Sequence, residues 1–347
     1  MRAWFFVSVF AAACSTQPAH GLDGQGSSDG KEDSPDGVTQ PGRPAYYVYF
    51  TTDRERINEA WFLDSHNIVG AQLRYNWKHL ETAEGVYDLD LIQNDLDFLT
   101  AHGKKLWIAI EDATFDPTRH NSPAYLIQDP KYHGGEEKTF NDASVHEGWV
   151  SRRWDPAVAA RRHQLYAVLG SRFDGLIAGI NGPESAISVT TPNFVPEGYT
   201  DAKYRDAVIA AMDAMAAAFP NSIAMEYANF MPGGGEIGEG YLGDVIEHAV
   251  QTPAGHPTKG MGIGGPDLKV NNPHHLEYGY IKQHAGELPT GLAVQDGNCE
   301  YIDPTTGNQV TIPQVLAYAE HLGLDYLFWG LEQPYLDQFV EIVESVP

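Results

Sequence analysis

Cysteine is nearly absent: Cys14 and Cys299 are the only two in 347 residues. If Cys14 is modified, Cys299 has no partner, so no disulfide framework supports the fold. Basic residues are scarce too, with 22 Lys and Arg against 47 Asp and Glu, a formal net charge of −25. That balance argues against nucleic acid, whose affinity comes mainly from Lys and Arg on phosphates. It also disfavours electrostatic attachment to anionic lipid. The one dense basic cluster, Arg152, Arg153, Arg161 and Arg162, reads as a solvated face of an amphipathic helix. The loop histidines His120, His133, His146, His274 and His275 show no H-E-x-x-H or other ligand spacing, so no metal is expected. There is no G-x-S-x-G for a serine hydrolase. The glycine run Gly233-Gly234-Gly235 lacks the Lys and Ser/Thr of a phosphate loop, and no cofactor is expected. Nothing in the sequence singles out a protein partner.

The chain opens with Arg2 and an apolar stretch, Ala3 to Ala13, too short to span a bilayer. It ends in Ala11-Ala12-Ala13-Cys14-Ser15, which resembles a bacterial lipoprotein signal in which the Cys becomes the lipidated first residue. That resemblance implies residues 1–14 as a signal, a membrane anchor at Cys14, and export to the cell envelope at the outer membrane. The alternative is ordinary secretion with cleavage nearby. Residues 15–43 are rich in Gly, Ser, Asp and Pro and nearly free of large apolar side chains, so they cannot bury a core and read as a flexible tether.

Residues 44–347 form the third division. The chain is 42% hydrophobic and 11% aromatic, ample for one large core, and a (β/α)8 barrel of about 250 residues with insertions fits that length. The most telling stretch is 69–115, VGAQLRYNWKHLETAEGVYDLDLIQNDLDFLTAHGKKLWIAIEDATF. An apolar strand runs into Arg74-Tyr75-Asn76-Trp77. An amphipathic helix follows over roughly Leu89 to His102, then a second strand, Leu106 to Ile110, ending in Glu111-Asp112. Further strands are read at 46–50, 176–180, 223–227, 261–263, 291–294 and 326–329, each followed by a helical pattern, which predicts a single α/β TIM barrel. The third connection, 113–154, is unusually long. It carries Tyr125, Tyr132, Trp149 and Trp154, and a functional loop walling a cleft is expected there.

The stretch 69–115 resembles the sugar-cleaving barrels of glycoside hydrolase clan A. Their second strand often ends in an Arg and leads into "W..lEp.eG.yd", then a helix and "Gkkl.l.i". The resemblance implies hydrolysis of a poly- or oligosaccharide, with retention through a covalent glycosyl-enzyme. It makes Glu184, after strand four, the acid/base, although Asn181 precedes it by three residues and Gly182-Pro183 is inserted. The clan nucleophile ends strand seven. Here that strand ends in Gln295-Asp296, so Asp296 is the candidate and Glu226 the competing partner.

Aligned strand ends put Glu111, Asp112, Glu184, Glu226, Asp267, Asp296 and Glu332 around one bowl, and glycoside cleavage needs two carboxyl groups flanking the bond. Trp77, Tyr227, Trp329 and Tyr335 are candidate platforms for sugar faces. Arg74 and Asn181 are candidate substrate or carboxylate-orienting residues. A glycan-binding barrel without catalysis is the alternative, favoured by the missing Asn-Glu pair and the missing strand-seven Glu. A metal-dependent barrel hydrolase is a further rival.

Overall fold

The structure is a computed structural model that describes residues 42–51, 53–233, 240–252 and 261–346. Cys14, the export segment and the tether up to residue 41 lie outside the described residues. Eight parallel strands close into a barrel: β1 Ala45–Tyr49, β2 Ile68–Asn76, β3 Lys105–Glu111, β4 Gly179–Asn181, β5 Ile223–Tyr227, β6 Gly262–Gly265, β7 Thr290–Val294 and β8 Tyr326–Trp329. Each pairs with its sequential neighbour, and β1 closes on β8 with Ala45 opposite Tyr326. The helices that pack around the barrel are α1 Ala60–Leu63, α2 Asp90–Ala101, α3 Pro156–Phe173, α4 Asp201–Ala218, α5 Gly240–Gln251, α6 Glu277–Gln283, α7 Ile312–Leu322 and α8 Tyr335–Glu344, with a further helical turn at Trp77–Leu80 after β2. This is the TIM barrel read from the alternation of strands and helices.

Local chemistry sets the helix ends. Pro156 opens α3, and the Asp155 carboxylate accepts from Ala157 N at 2.8 Å and Val158 N at 3.3 Å, satisfying amides that have no partner within the helix. Thr200 caps α4 by accepting from Lys203 N at 3.1 Å, and Thr311 with Gln314 forms a capping box on α7.

Side chains alternate across each strand. Tyr47, Trp107, Ile223, Met225, Tyr227, Ala293 and Phe328 fill the barrel interior as one cluster, while the intervening residues join the larger core under the helices. Trp107 meets Tyr47 and Phe328 with ring centroids 5.7 and 4.9 Å away. Its register partner on the next strand is Gly179. A Cβ on Gly179 would lie 2.8 Å from the Trp107 ring, and one on Gly264 would lie 2.4 Å from Gly291 O. Gly179 therefore leaves the space that the Trp107 ring fills, and Gly264 the space beside Met225 and Tyr227.

Two segments differ from expectation. Strand four is three residues long and starts at Gly179; Leu176 lies before it in a turn, 62% exposed. The segment between β3 and α3 is folded: a helical turn, Ala124–Gln128, and a three-stranded antiparallel sheet built from Ala113–Thr114, His146–Ser151 and Glu136–Phe140.

Candidate active site

Strand alternation decides which residues within a strand enter the bowl, while Glu184 and Asp267 lie beyond the last strand residue, where the alternation no longer holds. On β2 and β3, Arg74 and Glu111 share the parity of the interior residues Gln72 and Trp107, and they pair at 3.6 Å. The Arg74 guanidinium also donates to the Tyr49 hydroxyl at the end of β1. Burial pushes the Glu111 carboxyl above the ordinary range, with Arg74 opposing. Its Oε1 accepts from Ala113 N at 3.0 Å.

Glu184 follows β4 and is half-buried. Its Oε2 accepts from Asn229 Nδ2 at 2.8 Å. Burial pushes its carboxyl up to about 7; the Asn229 hydrogen bond opposes this, the charges of Glu111 and Asp267 add to it, and Arg153 opposes it. Asp267, beyond β6, accepts from Asn298 Nδ2 at 2.8 Å and lies 3.6 Å from the Lys269 ammonium. The hydroxyl of Tyr278 holds the Asp267 backbone by donating to its carbonyl at 2.8 Å.

Beyond β7 the residue with interior parity is Gln295, which donates to Pro266 O at 2.6 Å. Asp296 is exposed on the next turn. Glu332, beyond β8, accepts from Gly297 N at 2.9 Å. Burial raises its carboxyl, and the Asp296 charge adds to that.

Several expected site residues lie elsewhere. Glu226 has the opposite parity from Met225 and Tyr227. It points out of the barrel into the layer between the sheet and α3, where a Cβ on Gly182 would sit 3.2 Å from Glu226 Oε2. Burial pushes its carboxyl up to about 7, with Arg162 and Arg153 opposing and Asp112 adding. Trp329 also faces outward: its ring stacks on Phe339 of α8 at 4.3 Å and it is 1% exposed. Trp77 is fully buried, its indole donating to Glu81 at 3.0 Å. Neither Trp offers a ring face to a ligand. Tyr227 does point inward, but as buried floor whose hydroxyl accepts from Gln72 at 2.7 Å. The Asn181 oxygen accepts from Gln72 Nε2 and Trp107 Nε1, both at 3.0 Å, and its amide donates to Gly182 O. Asn181 is therefore engaged within the barrel and cannot orient a substrate.

The arginine cluster is not a solvated face. Arg152, Arg153 and Arg162 are buried: Arg153 and Arg162 face the buried Asp112 carboxylate, which needs partners out of water, and Arg152 donates to the carbonyls of His133 and Glu197. Arg153 donates to Asp112 and to Glu184 O, the latter at 2.6 Å. Burial alone would raise Asp112, but Arg153 and Arg162 hold it below the usual range. Arg161 donates to Glu81. Of the two tryptophans expected to wall the cleft, Trp154 is core, packed edge-on against Tyr199 at 4.9 Å. Trp149 is half-buried beside His120 and His146, its ring nitrogen donating to Pro117 O at 2.9 Å.

Asn229 and Tyr49 were missed. Counting by twos from Met225 and Tyr47 would have found both. Among the described residues, no three His, Cys, Asp or Glu side chains gather as metal ligands. No described helix is long and apolar enough to cross a membrane.

No protein-family profile matches the chain, and no curated protein sequence matches it. Solved structures do. A β-galactosidase from Bacillus circulans sp. alkalophilus is similar with a TM-score of 0.54 at 9% identity, over 88% of this chain and 56% of that one. Endo-glycoceramidase II from Rhodococcus sp., in complex with a five-membered iminocyclitol, gives 0.52 at 11% identity, over 83% and 73%. An exo-β-1,4-mannosidase from Opitutaceae bacterium strain TAV5 gives 0.49 at 11% identity, over 88% and 55%. This chain thus spans little more than half the length of the mannosidase and the galactosidase. All three are glycoside hydrolases by name. At such identities the likeness to the galactosidase and the glycoceramidase establishes the (β/α)8 fold alone.

Proposed function

We propose that this chain is a glycoside hydrolase in which Glu184 is the proton donor. Barrels host many chemistries, so the fold cannot carry this reading. The Glu184 carboxyl does: it sits at the strand ends, and burial lifts it to about 7, where a carboxyl can still hold a transferable proton near neutral pH. The reaction needs a second carboxylate across the bond from the donor. Asp267 suits that role better than Asp296, because its charge acts on Glu184 and an amide and an ammonium hold it.

In the retaining course, the Asp267 carboxylate attacks the anomeric carbon while the glycosidic C–O bond breaks. The leaving oxygen takes the Glu184 proton. Water then attacks the glycosyl ester, loses a proton to Glu184 and restores both groups. Arg74, held by Glu111 and Tyr49, supplies positive charge at the edge of the bowl. The fold shared with a β-galactosidase and an endo-glycoceramidase supports the bond class.

Reducing-sugar release by the full chain from a panel of poly- and oligosaccharides tests the reading. Release that disappears in Glu184→Gln supports it, and proton NMR of the first-formed anomer decides retention. Oligosaccharide binding with no release by the wild type would overturn it in favour of a glycan-binding barrel. Export and a lipid anchor at Cys14 belong to the same proposal, on the small residues before Cys14. Cys14→Ala should move the protein from the membrane to the soluble fraction, and unchanged partitioning would rule the anchor out.

A further inference from the structure

The segment bearing Glu184 is pinned by hydrogen bonds at Glu184 O, at Ser185 N, O and Oγ, and at Ala186 N. Arg153 donates to Glu184 O at 2.6 Å, and Tyr204 OH donates to Ser185 O at 2.7 Å. Ser185 N donates to Tyr227 O at 2.8 Å. Ser185 Oγ accepts from Asn229 N at 2.9 Å. The last contact is the informative one: Ala186 N donates to Asn229 Oδ1 at 3.0 Å. A backbone N–H can only donate, so it fixes the Asn229 amide with its oxygen toward Ala186 and its nitrogen toward Glu184. That nitrogen lies 2.8 Å from Glu184 Oε2, and Asn229 is 1% exposed.

We propose that Asn229 is the positioning residue of the proton donor: by donating to Oε2 it assigns the transferable proton of Glu184 to Oε1 and opposes its retention. The assignment to a transferable proton rests on the glycosidase reading; the orientation of the carboxyl does not. An amide N–H cannot accept a proton, so Oε2 remains the acceptor oxygen in both charge states and Oε1 is the oxygen free to face a substrate. A hydrogen bond to the charged form favours that form, so Asn229 lowers a carboxyl that burial would carry higher still. The other charges acting on Glu184 are Glu111 on β3, Asp267 beyond β6 and Arg153 before α3. Its own charge acts on Arg74 of β2 and Tyr49 of β1. All five stay in place when Asn229 changes.

The test follows the Glu184 titration in the full chain, with glutamate labelled with carbon-13 at Cδ and the signal identified by its loss in Glu184→Gln. Asn229→Ala removes the donor and should move the titration up by about one pH unit, the usual worth of a hydrogen bond to a charged group. Asn229→Asp keeps an acceptor for Ala186 N and so preserves the pinned segment. It removes the donor and adds a like charge, so the titration should move up further. Where the chain cleaves an aryl glycoside, the alkaline limb of kcat/KM should move with it. Loss of the loop's shape alone would lower kcat without moving that limb. An unmoved Glu184 titration in the folded Asn229→Asp variant overturns the inference whether or not the chain is a glycosidase. A shifted titration in a chain that cleaves no glycoside supports the orientation and sinks the glycosidase reading instead.

Discussion

Glu184 and Glu226 stand near the ends of adjacent strands, and burial lifts both to about 7. Their surroundings differ. Glu184 opens to the bowl and accepts from one neutral amide. Glu226 is 6% exposed behind the sheet, among the charges of Arg162, Arg153 and Asp112. The same displacement of a carboxyl thus arises from a candidate proton donor and from a structural charge cluster. A perturbed pKa is evidence of function only when the group also faces a place where substrate can sit.

The comparison breaks first in turnover. Glu184→Gln should lower hydrolysis by about 10²–10⁴-fold, the usual worth of general acid–base catalysis. Glu226→Gln should leave it within a few-fold. Steady-state rates on one oligosaccharide measure both, and equal losses would erase the distinction between bowl and back layer.

The two tryptophans of the third connection give a second version of the same contrast. Trp154 is 6% exposed, so Trp154→Ala should destabilise by about 3–5 kcal/mol in denaturant unfolding. Trp149 is half-buried, so Trp149→Ala should lose only about 1 kcal/mol, close to one hydrogen bond, while weakening oligosaccharide binding by titration calorimetry. A large loss of stability at Trp149 would make it core.

The last contrast is in pH dependence. The Glu226 carboxyl is lifted from its ordinary 4.5 to about 7 in the folded chain, so the stability from its proton is full below about pH 4.5 and is lost as pH rises through about 7. The loss should reach roughly 3 kcal/mol. Glu226→Gln should flatten that slope in urea unfolding between those limits. An unchanged slope would mean that Arg162 and Arg153 already keep the group ionised.

Much of the fold was legible in the strand–helix rhythm, down to Gly103 after α2, which has φ +70, and Pro156 opening α3. The site was legible by strand end but not by side. Glu226 and Tyr227, or Trp329 and Gly330, cannot both face inward, since the side-chain period is two and a one-residue error turns a ligand group into a core residue. Parity was available in the sequence and would have recovered Asn229. The burial of Arg153 and Arg162 was not, because helical periodicity marks a polar face without saying what packs on it. Here Asp112, beyond β3, covers that face.

By itself, the sequence determined the eightfold alternation, the acidic surface and the gathering of carboxylates at one end of the barrel. These follow from periodicity and composition, which are local properties of the chain. Only the tertiary structure decided which carboxyl meets the bowl, which is sealed behind it, and which amide holds Glu184. Those outcomes depend on contacts between residues far apart in the chain, such as Arg153 with Asp112 and Asn229 with Glu184, and no local pattern encodes them.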